Sequence, residues 1–204
     1  MGEEVKEGGA TVRDLLLRFC KVQQQRVTQY NRLHEGFRRY LQSREESQFI
    51  QCLSDSTKAF SEISAAVIAI EATLRKESHA HDVADILRRV QEGERDKLRL
   101  TLSLQALKRV HAFRGFSWQR DNEGNEVDHE CGVHGTDITE RMGSLNLMGS
   151  VSVSGVGPGG NSEPSEQEYK MAVGEATQHL EKAVIRINDE LEEIRYMIAD
   201  LEGE

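Results

Sequence analysis

The chain has 204 residues and a formal net charge of −9, with 37% hydrophobic residues, 30% charged residues and only two prolines. With aromatic residues at 5%, this composition favours long amphipathic helices over a compact mixed fold. No apolar run approaches the ~20 residues that cross a bilayer, and the first ten residues lack the apolar core of a secretory signal.

The cysteines and the N-terminal residues indicate a compartment. Cys20, Cys52 and Cys131 are odd in number and lack the spacing of a disulfide framework, which fits a reducing environment. Met1-Gly2 begins like a myristoylation site, but no Ser or Thr stands where that motif requires one. We therefore expect a protein of the nucleus or cytosol.

The charge is distributed unevenly along the chain. Residues 11–114 carry 19 Arg and Lys against 13 acidic residues, whereas residues 115–204 carry 6 against 19. A basic front half and an acidic back half can attract each other, or each can attract a different partner. The total charge alone therefore does not indicate whether the protein binds nucleic acid.

The first predicted helix begins at Thr11, with Asp14 three residues later as a reciprocal cap. Gly36 interrupts the helix at a cost of about 1 kcal/mol. The apolar residues recur at helical spacing, which predicts that they form the buried face. They are Leu15, Leu16, Phe19, Val22, Val27, Tyr30, Leu33, Phe37, Tyr40 and Leu41.

The second predicted helix has the most regular pattern. Its seam alternates steps of four and three residues over nearly four heptads, and Ser56 is its only polar member. The seam comprises Phe49, Leu53, Ser56, Phe60, Ile63, Val67, Ile70 and Leu74.

The third predicted helix runs from about Asp82 to Arg114. One stripe consists of Val83, Ile86, Val90, Leu100, Leu104 and Leu107, with Gly93 and Lys97 filling its two gaps. A second stripe, Leu87, Leu98 and Leu102, makes the apolar face too wide for one partner helix. Because short connections join the three helices, residues 11–114 are predicted to form an antiparallel bundle.

The composition changes after Arg114. Residues 115–164 are rich in Gly, Ser and acidic residues, which predicts a disordered linker, and residues 1–10 are predicted to be a disordered tail. Ser165 and Glu168 form a capping box that begins a fourth helix over residues 165–204. Its seam is Leu180, Val184, Ile187, Leu191, Ile194, Ile198 and Leu201.

These patterns predict an all-α fold: an antiparallel three-helix bundle of long helices, a disordered linker and a fourth, coiled-coil-like C-terminal helix. The acidic charge of the fourth helix favours packing against the basic first helix. Packing against another chain, including a second copy in a homo-oligomer, remains the alternative.

A set of arginines is the main candidate site, because the guanidinium group matches the geometry of phosphates and carboxylates. The arginines could contact DNA or, with somewhat more support, an acidic protein partner; the alternative is an ordinary solvated helix surface. The set comprises Arg26, Arg32, Arg38, Arg39, Arg88, Arg89, Arg95 and Arg99.

Two further candidates lie after the third helix. Trp118, which follows Phe113 and Phe116, either packs over the end of the bundle or anchors a partner. His129, Cys131 and His134 are chemically suitable zinc ligands, but the fourth ligand of a structural site is missing. We therefore predict no metal site, no cofactor and, since no catalytic motif occurs, no enzymatic activity.

Two strings carry a resemblance to a known family. LHEGFRRYL at Leu33–Leu41 and ILRRVQEGERDKLRLT at Ile86–Thr101 resemble the "required for excision" B-type DNA-repair family. The likeness extends from near Val12 to about Ala112. It implies a role in excision repair of damaged DNA and carries no catalytic residue over to this chain.

We therefore predict a non-enzymatic helical adaptor that acts in the nucleus through contacts with repair proteins, with weak direct DNA contact possible and no membrane contact. The alternative is a coiled-coil scaffold subunit of a cytoskeletal or ciliary assembly, because long amphipathic helices serve both roles.

Overall fold

The computed structural model confirms the all-α prediction. It describes residues 10–76, 78–113, 115–119 and 163–202. No strand occurs in these ranges, and no helix within them is both long enough and apolar enough to span a membrane. The predicted disordered tail and most of the predicted linker, at residues 1–9 and 120–162, lie outside the described residues.

Four long α-helices make up most of the described chain. Helix α1 spans Val12–Ser43, α2 spans Glu46–Lys76, α3 spans His81–Phe113 and α4 spans Glu166–Asp200. A short 3₁₀ turn at Ser117–Gln119 follows α3.

Both predicted capping boxes are confirmed. The Thr11 hydroxyl accepts the backbone N–H of Asp14 at 3.1 Å, and the Asp14 carboxylate accepts the backbone N–H of Thr11 at 3.2 Å. At the start of α4, the backbone N–H and the hydroxyl of Ser165 both donate to Oε2 of Glu168 at 2.8 Å. These bonds satisfy N–H groups that a helix start otherwise leaves without partners, and they hold the pKa of both carboxyls below its ordinary value.

The chain forms two compact units, and the boundaries between them fall within α3 and within α4. The larger unit comprises Met1–Glu94 and Val184–Glu204, and the smaller unit comprises Arg95–Ala183.

Antiparallel packing of consecutive helices builds the larger unit. Helices α1 and α2 meet where the Gln29 amide donates to the Ser56 hydroxyl at 2.9 Å, and where the Tyr30 and Phe60 rings lie 4.8 Å apart. Helices α2 and α3 meet where the Gln91 amide donates to the backbone carbonyl of Ser64 at 3.1 Å. Further along, Tyr40 of α1 stacks on Phe49 of α2, and Arg75 of α2 bonds Asp85 of α3. Residue numbers rise along one helix as they fall along its neighbour, so the predicted antiparallel packing is confirmed.

The core of the larger unit draws on all four helices. The α2 seam is buried as predicted, except that Leu53 is half-buried. From α4, Ile187 and Ile194 join the same apolar core. Within this unit α4 thus packs on the bundle of its own chain, and packing against another chain stays a prediction. The core residues are Leu15, Leu16, Phe19, Val67, Ile70, Leu74, Ala84, Ile86, Leu87, Val90, Ile187 and Ile194.

The middle of α1 differs from the prediction. Val27, assigned to the buried face, is 57% exposed, whereas the polar residues Gln23, Arg26 and Gln29 are buried. The steps that lead from Phe19 through positions 23 and 26 to Tyr30 alternate four, three and four residues. Positions 23 and 26 therefore fall on the seam, and position 27 does not.

In the smaller unit, α3 is covered on every side along one turn. The five consecutive residues Thr101–Gln105 are all buried. Because an α-helix completes a turn in 3.6 residues, no direction around α3 faces solvent at this level. The wide apolar face predicted for α3 is thus confirmed at Leu102 and Leu104.

A close contact between α1 and α2 explains Gly36. A Cβ atom at this position would lie 2.3 Å from Sγ of Cys52 and 3.3 Å from its Cβ. The glycine therefore allows the two helices to approach each other closely. The packing gained in this way offsets the low helix propensity of glycine.

We expect Gly36→Ala to lower the free energy of unfolding by about 1–3 kcal/mol, because the new methyl group overlaps Sγ of Cys52. In a Cys52→Ala background the same change should cost less, since the sulfur is gone and alanine favours the helix by about 1 kcal/mol. Urea unfolding of the four proteins in this double-mutant cycle measures the coupling. Equal costs in both backgrounds would show that the Cys52 thiol does not set the helix spacing.

We expect the first turn of α4 to lose hydrogen-exchange protection as the pH falls below about 4.5, the ordinary pKa of a Glu carboxyl. Backbone and side-chain bonds from Ser165 lower the pKa of Glu168 in the fold. The ionised carboxylate therefore stabilises this turn above the unfolded pKa, and its contribution disappears as the pH passes below the folded one. A Ser165→Ala variant, whose protection should be weaker and less dependent on pH, is the control.

Candidate functional site

The exposed side of α1 carries a row of cations. Arg18, Lys21, Arg32 and Arg39 are exposed, and their spacing of three, eleven and seven residues places them on one side of the helix. At 1.5 Å per residue, the row extends over about 30 Å. We call these four residues the basic face of α1. Arg18 and Lys21 were not among the predicted site residues, although their helical spacing from Arg32 was visible in the sequence.

Most of the basic face is not neutralised within the described chain. No ion pair there involves Arg18, Lys21 or Arg32. Arg39 lies 3.7 Å from Glu35, and Arg38, on a neighbouring side of the helix, forms a two-bond pair with the same carboxylate at 2.9 and 3.0 Å. About two-thirds of each of these two side chains is exposed. Surface pairs of this kind typically contribute 0–1 kcal/mol in proteins, so a partner with a stronger anion could displace them at about that cost.

Arg26 does not lie on the exposed surface, contrary to its predicted place in the DNA-contacting set. Its side chain is only 3% exposed and donates to Oε1 of Gln91 on α3 at 2.6 Å. Burial lowers the pKa of Arg26, and the nearby Glu94 carboxylate opposes this shift. This arginine therefore belongs to the core of the larger unit.

Arg26 is part of a polar layer that the sequence analysis did not find. Glu94 is 7% exposed, and its backbone carbonyl accepts the Tyr30 hydroxyl at 3.2 Å. Burial and the Glu94 charge raise the pKa of Tyr30 far above its ordinary value. Nε of Arg26 and Nε2 of Gln23 are buried without hydrogen-bond partners. The layer links α1 to α2 and α3. In the sequence, the feature that pointed to it was Ser56, the polar member of the α2 seam.

Arg88 and Arg89 form ion pairs between helices. Arg88 bonds the Glu71 carboxylate at 2.9 Å, and the Glu71 side chain is only 6% exposed. Arg75 also bonds Glu71, so two cations face this buried charge. Arg89 bonds Glu190 of α4 at 2.7 Å and lies 3.6 Å from Glu193. The geometry therefore assigns Arg88 and Arg89 to helix–helix contacts within the larger unit.

Arg95 and Arg99 lie in the smaller unit. Arg95 is exposed and Arg99 is half-buried, and neither has an ion pair with the described residues. Arg32, Arg38 and Arg39 belong to the larger unit.

Trp118 packs within an aromatic cluster of the smaller unit. Its ring stacks on Phe116 with centroids 4.9 Å apart, and His111 and Tyr169 lie at 5.9 and 6.0 Å. The indole N–H donates to the backbone carbonyl of Pro164 at 2.9 Å. Of the two alternatives for Trp118, the structure shows packing; a role as a partner anchor stays a prediction.

The same cluster joins the two ends of the predicted linker. The backbone N–H of Ser117 donates to Oε1 of Glu163 at 2.6 Å, next to the Trp118–Pro164 bond. The His111 and Tyr169 rings stack with centroids 4.9 Å apart, so α3 also contacts α4 here. The first and last residues of the predicted linker are thereby held close together.

The remaining candidates for chemistry are limited. His129, Cys131 and His134 lie outside the described residues, and within these no group of His, Cys, Asp and Glu could hold a metal ion. A surface depression at the start of α4 is lined by exposed residues of that helix alone, including Glu166 and Lys170, which bond each other at 2.5 Å. This depression does not gather ionisable groups from several elements.

We expect Arg26→Ala to lower the free energy of unfolding by about 1–3 kcal/mol, because Oε1 of Gln91 loses its buried donor and the buried Glu94 loses a nearby positive charge. The double variant Arg26→Met/Glu94→Gln should lose less, since it removes both charges and keeps most of the volume. Chemical denaturation monitored by circular dichroism measures both. An Arg26→Ala variant as stable as the wild type would contradict a structural role for this arginine.

A comparison with known proteins is informative for the front half of the chain. Residues 14–108 match the model of the family described as DNA repair REX1-B. The match covers most of α1, all of α2 and most of α3, and it includes both strings on which the resemblance was based. No curated protein and no solved structure matches the chain. The family name indicates a role in DNA repair, and the match supports the resemblance that the two strings suggested: residues 14–108 are similar to the DNA repair REX1-B family.

Proposed function

We propose that this protein is a non-enzymatic helical adaptor in the excision repair of damaged DNA, acting in the nucleus through contacts with repair proteins. The family match supports the process. The basic face of α1 supports the mode of action, because it lies within the matched residues and presents cations that no ion pair within the described chain holds, except at Arg39.

The chemistry of the basic face favours an acidic protein segment as its main partner. The cations lie along one helix with Gln25 and Thr28 between them, and no exposed aromatic residue stands among them to stack on a base. Such a row can pair with carboxylates of an extended or helical segment. It can also contact DNA phosphates, but that contact would be independent of sequence and would weaken steeply with salt.

The other ionisable groups of the larger unit also support an adaptor rather than an enzyme. Glu71, Arg88 and Arg89 hold helices together, and Arg26 with Glu94 lies inside the core. These groups stabilise a rigid support, and the basic face is the charged surface on α1 that remains for a partner.

The test is complementation of cells that lack the protein. We expect the variant Arg18→Glu/Lys21→Glu/Arg32→Glu to fail to restore survival after ultraviolet irradiation, because it reverses most of the basic face. The matched control Lys58→Glu/Lys108→Glu/Lys182→Glu changes the net charge equally at exposed positions of the other three helices, and it should restore survival.

Two results would count against the proposal. Full rescue by the basic-face variant would exclude this surface as the partner site, provided circular dichroism shows both variants folded. Unchanged ultraviolet sensitivity in cells without the protein would exclude the role in excision repair itself. A tagged protein should be enriched in nuclei after irradiation, whereas a steady filamentous or ciliary pattern would favour a scaffold.

A further inference from the structure

The last part of α4 lies in a groove of the larger unit that is lined by α1 and α3. Ile187 and Ile194, 3% and 0% exposed, share one apolar core with Phe19 of α1 and Val90 of α3. We call this surface the α4 groove. The family match ends at residue 108, so its α3 side lies within the matched residues, whereas the helix that fills it lies outside them.

The groove has a recess for one side chain of α4. A Cβ atom on Gly93 would lie 2.8 Å from Cγ1 of Ile187 and 3.5 Å from its Cδ1. Real Cβ atoms do not approach another carbon this closely, so the glycine is what allows Ile187 to sit against the α3 backbone. The recess therefore matches a branched apolar side chain at this point of the bound helix.

Ion pairs set the position of α4 along the groove. Arg89 of α3, one turn before Gly93, bonds Glu190 at 2.7 Å and lies 3.6 Å from Glu193. The Glu190 side chain is 15% exposed, and its second oxygen is buried without a hydrogen-bond partner, so this carboxylate depends on Arg89. At the other end of the helix, Arg13 of α1 pairs with Glu202.

The attachment of α4 allows its groove to be filled from another molecule. The chain between Gln119 and Glu163 comprises about 40 residues, which span up to ~130 Å when extended. The groove of a second copy is therefore within reach once the bonds from Ser117 to Glu163 and from Trp118 to Pro164 open, and α4 would find there the same recess, the same arginines and the same aromatic partners. A tethered helix has an effective concentration in the mM range, so binding within one copy dominates in dilute solution and exchange gains with concentration.

We propose that α4 exchanges between copies, so that the α4 groove of each chain takes Val184–Asp200 of the other and a reciprocal dimer forms. A second copy is the partner that the groove fits, because the observed recess and charges are complementary to this helix. The inference does not depend on the role in DNA repair.

Two charge-reversal variants test it. Arg89→Glu and Glu190→Lys/Glu193→Lys each place like charges in the groove, both within one chain and in a dimer of that variant. In a mixed dimer, one groove brings the carboxylate introduced at position 89 against the two introduced lysines, and the other groove restores the wild-type pairing. Both grooves of the mixed dimer are therefore matched.

We expect native mass spectrometry of the co-incubated variants to show about tenfold or more heterodimer over either homodimer. A chain that carries all three substitutions is the control, because its matched charges should return it to the wild-type ratio of monomer to dimer. A mixture that shows no excess of heterodimer would overturn the proposal.

A cross-linking measurement leaves the groove itself unchanged. In a background without Cys20, Cys52 and Cys131, one copy carries Arg13→Cys and the other Glu202→Cys. Under oxidation, a disulfide between copies forms readily only if α4 of one chain lies on α1 of the other. The control pairs Lys58→Cys on the exposed side of α2 with Glu202→Cys; yields equal to this control would contradict exchange.

Discussion

The burial of four apolar seams against one another is the interaction on which the larger unit depends. Nine of its core side chains, distributed over all four helices, are at most 1% exposed; they include Leu16, Val67, Leu87 and Ile194. Burying a side chain of this size contributes about 1.5–3 kcal/mol, whereas an exposed ion pair contributes about 0–1 kcal/mol. Ile187 and Ile194 therefore decide that α4 binds, and pairs such as Arg89–Glu190 mainly decide its register.

The polar layer in the same core has a different effect. A buried arginine costs free energy to desolvate, and the Glu94 charge and the Gln91 bond offset this cost only in one arrangement of the helices. The Gln29–Ser56 bond imposes a similar condition between α1 and α2. We interpret the layer as a device that selects one register among several that the seams alone would permit.

Helix α1 thus has two distinct sides. Its inner side joins the core through Leu15, Phe19 and Leu33, while its outer side carries the cations of the basic face. Gly36 and Cys52 bring α1 and α2 close together, which supports the helix over the length that the basic face occupies. A rigid row of charge is suited to recognising a partner, since little conformational entropy is lost when the partner binds.

Features that depend on short spacings could be predicted from the order of the amino acids alone. The helix starts at Thr11 and Ser165, the α2 seam from Phe49 to Leu74 and the all-α class could be read directly, because capping and periodicity involve residues three or four positions apart. The resemblance to the DNA-repair family was also carried by local strings. These parts of the prediction needed no knowledge of which helices are neighbours.

Features that join distant parts of the chain became clear only from the packing of the helices. Arg26 could be placed in the core only once Gln91 and Glu94 were known to face it, and Arg89 only once Glu190 was. Trp118 could likewise not be assigned until Tyr169 and Pro164 were found beside it. The physical reason is common to all three: a charged or amphipathic side chain is stable in the core or on the surface, and its partner determines which.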